Sequence, residues 1–292
     1  MSNPPNTIRR YSRVAGLVLS FTSLLAAPAL AAGGASTSQG IAQGPATSLE
    51  MAMSLYAGGI SLGKVDMDAK FTGTPAAGKY HVVSNLQTSG VVNVFWQSEI
   101  QATASGKIEG HQLLPELYDS FYTGHNEKHQ EVALTYENGY PARLYANPPY
   151  PIKGYEVKPD EKKGTFDPLS AMIYIVSGAG AAGNPCAVTA PVFDGRRRYT
   201  VSLSKVRDIE IKLDNGLYKG PGVQCEIIYK QISGYSPRVL KDANFPHVYA
   251  WFASFNAGGR SFNVPMRVWA KSPYGIVAAV TTSLKINGAS PK

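Results

Sequence analysis

The apolar residues of this chain recur at every second position, in short runs that end at glycine, proline or Asn/Asp-Gly pairs, and no other feature restricts its fold as strongly. Leu55, Ala57 and Gly59 form one run, Val65, Met67, Ala69 and Phe71 the next, and Tyr80, Val82 and Ser84 follow a turn at residues 73–78. Runs over 91–104, 107–114, 117–123 and 128–136, with Asn138-Gly139 as a hairpin turn, extend the series into an antiparallel meander. The second half repeats the pattern at Val192 and over 196–203, 208–213, 223–232, 247–255, 261–269 and 276–286. Asp194-Gly195, Asp214-Asn215-Gly216, Gly258-Gly259 and Pro273-Tyr274-Gly275 supply its turns. Over residues 248–255 both alternating faces are largely apolar, which predicts a strand between two layers or one lining a hydrophobic lumen. Composition agrees: 29 Gly, 20 Pro, 17 Tyr and 10 Phe with only 16% charged residues exclude a coiled coil, a disordered tail and a Lys/Glu-rich bundle. The expected fold is mainly β, an antiparallel meander forming a curved spiral sheet or partly open barrel with one short helix.

That helix is predicted where the alternation stops. Residues 147–164 carry Pro148, Pro149, Pro151 and Pro159 and a cluster of charges, and read as a crossing loop. Asp167 then offers a side chain to free backbone N–H groups, Pro168 suits the first helical position, and apolar residues continue to Val176. Three glycines within 177–184 end it.

The N-terminus predicts export. Residues 1–31 hold Arg9, Arg10 and Arg13, no acid, an apolar run over 14–25, and Ala29-Leu30-Ala31 before Ala32, the pattern of a secretory signal cleaved after Ala31. The run is shorter than the roughly 20 apolar residues of a membrane span. Arg9-Arg10 matches a twin-arginine pair, but its neighbours favour ordinary Sec export. Residues 32–47 read as a flexible leader and 48–288 as a single β-rich domain, a soluble periplasmic protein. Cys186 and Cys225 form an even pair in an exported chain and are expected to be bonded to each other. Loss of the three leader arginines takes the formal charge from +8 to +5, too diffuse for a nucleic-acid footprint.

Several strings resemble catalytic motifs without their context. Gly59-Ile60-Ser61-Leu62-Gly63 spells the hydrolase elbow, yet strand-like alternation follows it where a helix is required. Residues 178–183 spell a dinucleotide fingerprint, with a helix before and Asn184-Pro185 after, the reverse of the required order. His125 and His129 flank Glu127, but on extended backbone they stand roughly 13 Å apart and cannot share a metal ion. No catalytic residue, metal ligand or cofactor is predicted. The candidate ligand-binding residues are Arg196, Arg197, Arg198 and Trp251. On a strand, Arg196 and Arg198 share one face and Arg197 the other, so an arginine points inward. It is either paired with an acid such as Asp194 or Glu226, or open to a phosphate or carboxylate.

The block Phe166-Asp167-Pro168-Leu169-Ser170-Ala171 and the block Val192-Phe193-Asp194-Gly195-Arg196-Arg197-Arg198-Tyr199, with Cys225 following, resemble bacterial domain-of-unknown-function family 3108. Gly58-Gly59-Ile60 with Gly63, Leu114-Pro115 and Pro273-Tyr274-Gly275 fit it too, so the resemblance spans roughly residues 49–286. It implies an exported β-rich protein and brings no catalytic residues. The plan is also similar to that of alphaproteobacterial spiral-sheet envelope-integrity proteins. The function expected is non-catalytic support of the cell envelope. The alternative is a carrier of a lipid or other amphipathic envelope molecule.

Overall fold

The computed structural model describes residues 46–89, 97–110, 112–124, 128–150, 154–179, 184–241, 245–273 and 275–291. The predicted export signal, most of the leader, residues 91–96, His111, His125, Glu127 and residues 180–183 lie outside them. The strands are β1 (Thr47–Ala57), β2 (Ile60–Gly73), β3 (Ala77–Thr88), β4 (Glu99–Glu109), β5 (Gln112–Thr123), β6 (His129–Glu137) and β7 (Tyr140–Asn147), then β8 (Thr189–Phe193), β9 (Arg198–Lys212), β10 (Lys219–Ser233), β11 (Val248–Ala257), β12 (Arg260–Ser272) and β13 (Gly275–Ile286). All belong to one 13-stranded sheet in the order β7-β6-β5-β4-β3-β2-β1-β13-β12-β11-β10-β9-β8. Every strand pair is antiparallel, and the two terminal strands, β1 and β13, pair in the middle of the sheet. Its two free edges, β7 and β8, are therefore consecutive in sequence.

The connection between those edges carries helix α1 (Pro168–Val176). Asp167 caps it, its Oδ1 accepting from the Leu169 and Ser170 N–H groups at 3.1 and 2.8 Å, with Pro168 in the first turn as expected. The helix packs against β3, β4, β5, β8 and β12. Leu169, Ile173 and Val176 join the main core with Phe71, Tyr80, Phe262 and Met266. The space inside the curved sheet is thus occupied by a helix and core side chains.

The sheet curls without hydrogen bonding its edges together. Gly164 N–H donates to the Gly139 carbonyl in the β6–β7 turn at 3.1 Å, while Phe166 pairs with β8 on the other edge. The β8–β9 turn packs on the same seam: a Cβ on Gly195, whose φ is +89°, would lie 2.8 Å from Val132 Cγ1 and 3.0 Å from Leu144 Cδ1. Elsewhere Arg260, 7% exposed, donates from Nη2 to the carbonyls of Thr72, Gly73 and Thr74 and latches the β11–β12 turn to the β2–β3 turn. A smaller core of Val188, Leu203, Val223, Ala250 and Phe252 surrounds the disulfide that joins Cys186 to Cys225, 39 residues apart.

Some expected boundaries differ. Residues 107–114 are not one strand; the chain turns at Gly110, and β5 continues through Pro115 at a bulge opposite Ser105 and Gly106. The runs over 196–203 and 208–213 are joined in one strand, β9, where the pairing register shifts between Lys205 and Arg207 and the exposed residues 204–208 interrupt the apolar alternation. Arg196 and Arg197 precede β9, so the expected alternation of the three arginines across a strand does not occur. Strand β1 already begins at Thr47, and a five-residue helix, α2 (Pro237–Lys241), was not expected.

Candidate functional site

The three consecutive arginines are largely held by their own turn. Asp194 Oδ1 accepts from the backbone N–H groups of Arg196 and Arg197 at 2.9 and 2.6 Å, and its Oδ2 accepts from Arg197 Nε at 3.1 Å. Arg198 donates from Nε to the Glu161 carbonyl at 3.1 Å and from Nη1 to Thr200 Oγ1 at 3.2 Å and to the Tyr199 carbonyl. It ties the crossing segment to β9, and burial lowers its pKa. Arg196 lies over Tyr150, 5.5 Å from the ring centroid, with its Nε buried and unpartnered. Of the two acids expected as partners, Asp194 holds Arg197 and Glu226 instead pairs with His247. These residues close the seam of the sheet, and the Arg196 Nε is the one buried nitrogen of the three guanidinium groups without a partner among the described residues.

Trp251 lies elsewhere. It is on β11 opposite Arg267 on β12, and Arg267 is in turn opposite Val280 on β13. One step along, Tyr249, Trp269 and Ala278 form the parallel row, which Tyr56 of β1 extends. The indoles of Trp251 and Trp269 meet edge to face at 5.2 Å. The Arg267 guanidinium sits 5.4 Å from one ring centroid and 5.6 Å from the other. Across this surface lies the β9–β10 turn, fixed by a 2.8 Å hydrogen bond from Asn215 Nδ2 to the Thr281 carbonyl. Between turn and sheet is a cleft of about 460 Å³, with Trp251, Arg267 and Tyr56 on its sheet side and Lys212 and Asp214 on the turn. Arg267 Nε and Trp251 Nε1 are both buried without an acceptor.

Trp251 was legible as an aromatic in a strand with two apolar faces. Arg267, Trp269 and Lys212 were not singled out from the sequence. The signal available was the matched alternation of Tyr249 with Trp251 and of Arg267 with Trp269, which becomes meaningful only once the β11–β12 register is known.

A second polar group is internal. Asp167 is 0% exposed, and burial pushes its carboxyl from 3.8 up to about 6 against the opposing pull of the hydrogen bonds from Ser170 and Leu169. Its Oδ2 has no partner. Nearby, Tyr80 and Ser170 share a 2.7 Å hydrogen bond between hydroxyls, and burial raises the phenols of Tyr80, Tyr118 and Tyr136. The acid is sealed from solvent and anchors α1.

The string around Ser61 does not form an elbow. Ser61 is exposed in β2 opposite Tyr56, and the strand runs on to Gly73. Gly178 follows α1, and residues 180–183, like His125 and Glu127, are outside the described residues. His129 begins β6 and stacks on Phe121. No group of three His, Cys, Asp or Glu able to hold a metal ion occurs among the described residues. None of the helices described is long and apolar enough to cross a membrane.

The chain has no match among curated proteins. Among solved structures it is similar to a β-barrel-like protein of domain of unknown function DUF1849 from Brucella abortus, with a TM-score of 0.46 and 10% identity over 82% of this chain and 97% of that one. The model of a family of proteins of unknown function, DUF3108, matches residues 51–282, a span that runs from β1 through the crossing helix to β13. On that match, which takes in both sequence blocks, the disulfide and the Trp251 cleft, the chain belongs to the DUF3108 family.

Proposed function

We propose that this is an exported, periplasmic, non-catalytic protein that supports cell-envelope integrity as a folded platform for other envelope components. The observation that carries the reading is the filled interior: α1 and its buried Asp167 cap occupy the space that a lumenal carrier would need to keep open. The Cys186–Cys225 bond suits an oxidising compartment. Lipid carriage through the interior of the sheet is correspondingly disfavoured, and contacts with partners fall to the outer clefts and turns. Nucleic acid is not a partner in this reading.

Deletion of the gene from its native host tests the proposal, with growth scored on detergent and EDTA. Sensitivity is expected, restored by the full chain and not by a chain lacking residues 1–31. A deletion strain indistinguishable from the parent would overturn the reading. So would an enzymatic activity of the purified protein on an envelope component that a single substitution abolishes.

A further inference from the structure

We propose that the Trp251–Arg267 cleft is a binding site for an organic monoanion, a carboxylate or phosphate carried on an apolar body. Arg267 is half-buried, and among the described residues it has neither an acid nor a carbonyl as a hydrogen-bond partner. Its contacts with Trp251 and Trp269 engage the flat face of the guanidinium. Stacking of that kind leaves the in-plane N–H groups unfilled, and those groups form the fork that matches a carboxylate or phosphate. The buried Arg267 Nε, left without an acceptor, costs stability that an acceptor reaching it would recover. Trp251, which also lines the cleft, has its Nε1 buried without an acceptor.

The remainder of the cleft sets the ligand's character. Ala278, Val280 and Tyr56 provide an apolar floor, while the exposed Lys212 and Asp214 stand on the turn across from it. Two cations against one carboxylate leave a net charge of +1, which suits a singly charged group. A volume of about 460 Å³ falls in the range that accommodates small organic ligands. The site does not depend on the interior of the sheet or on the envelope role proposed above, so the two readings fail separately.

Isothermal titration calorimetry on the mature, disulfide-bonded chain tests it with four probes: dodecanoate and dodecyl phosphate below their micellar concentrations, dodecanol below its solubility limit, and inorganic phosphate. Dodecanoate or dodecyl phosphate should bind saturably at one site, at least tenfold more tightly than dodecanol or inorganic phosphate, and should shift the indole N–H resonances of Trp251 and Trp269. Arg267→Gln should weaken that binding at least tenfold. Lys212→Gln, an exposed change that does not touch the core, should weaken it severalfold, so the test survives if the first variant misfolds. Equal affinity for dodecanol would overturn the anion requirement, equal affinity for inorganic phosphate the apolar body. Absence of saturable binding, or wild-type affinity in a folded Arg267→Gln protein, would overturn the site.

Discussion

Replacing Asp167 by Asn should remove a defined part of the protein's pH dependence. The carboxyl is fully buried and its pKa is pushed from 3.8 to about 6, so the folded state favours the neutral acid. The corresponding penalty on the ionised form is about 3 kcal/mol. Below pH 3.8 the acid is protonated in both folded and unfolded chains, and its contribution is fully present. Between 3.8 and 6 the unfolded chain ionises first, so this contribution falls, and it is gone once the folded acid has ionised as well. Asn retains the cap, because its side-chain oxygen can accept from the same two N–H groups and Asn caps helices about as well as Asp. Urea unfolding of the wild type and of Asp167→Asn at pH 4, 5, 6 and 7 should therefore show near-equal stability at pH 4. The variant should gain with each step, reaching an advantage of up to about 3 kcal/mol at pH 7. Asp167→Ala, which loses the cap, should be less stable than Asn by about 1 kcal/mol at every pH. A stability difference that stays flat with pH, or one that favours the wild type at pH 7, would refute the reasoning and show that the helix N-terminus holds the carboxylate ionised.

Three other perturbations follow from the packing. Replacing both Cys186 and Cys225 by Ser opens a 39-residue separation and should lower the unfolding free energy by roughly 4 kcal/mol in the chain-entropy model, read from the same urea curves. Arg260→Met removes the donor that serves the Thr72, Gly73 and Thr74 carbonyls and should cost about 2 kcal/mol, seen as a lower urea midpoint at unchanged slope. Gly195→Ala places a methyl 2.8 Å from Val132 Cγ1 at a φ of +89° and should destabilise by about 1–3 kcal/mol, whereas the same change at Gly139, whose added methyl meets no atom, should show only the backbone part of that cost.

What was legible in the sequence was what short stretches of chain decide by themselves. The start of α1 follows from Asp167 and Pro168 side by side, and the Asn138-Gly139 turn from a residue pair that tolerates positive φ at both positions. Strand boundaries were misread where a bulge intervened. In β5 the extra residue Glu116, opposite Ser105 and Gly106, moves the buried positions from Leu113 and Pro115 to Tyr118, and in β9 the exposed residues 204–208 around the register shift at Lys205 and Arg207 interrupt the alternation, so each continuous strand resembles two. The site was half legible for a related reason. Arg196, Arg197 and Arg198 drew attention because consecutive charges are visible in a string, yet Asp194, two residues away, already engages one of them and the Glu161 carbonyl another. Arg267 looked unremarkable as a lone charge between apolar neighbours. Its importance comes from a register that places it between Trp251 and Val280, and from a turn more than 50 residues earlier in the chain that folds across it. Local sequence does not encode that pairing.

The central claim is that α1 is a permanent part of the core, so that the curved sheet is a filled platform with no lumen to load. Native-state hydrogen exchange on the α1 amides, with and without dodecanoate, tests this most directly. The account predicts that residues 171–176 exchange only through global unfolding, with the same free energy as the core strands and no acceleration by the amphiphile. Exchange of α1 by an independent local opening, enhanced when dodecanoate is added, would make the helix a displaceable plug and the protein a lumenal carrier.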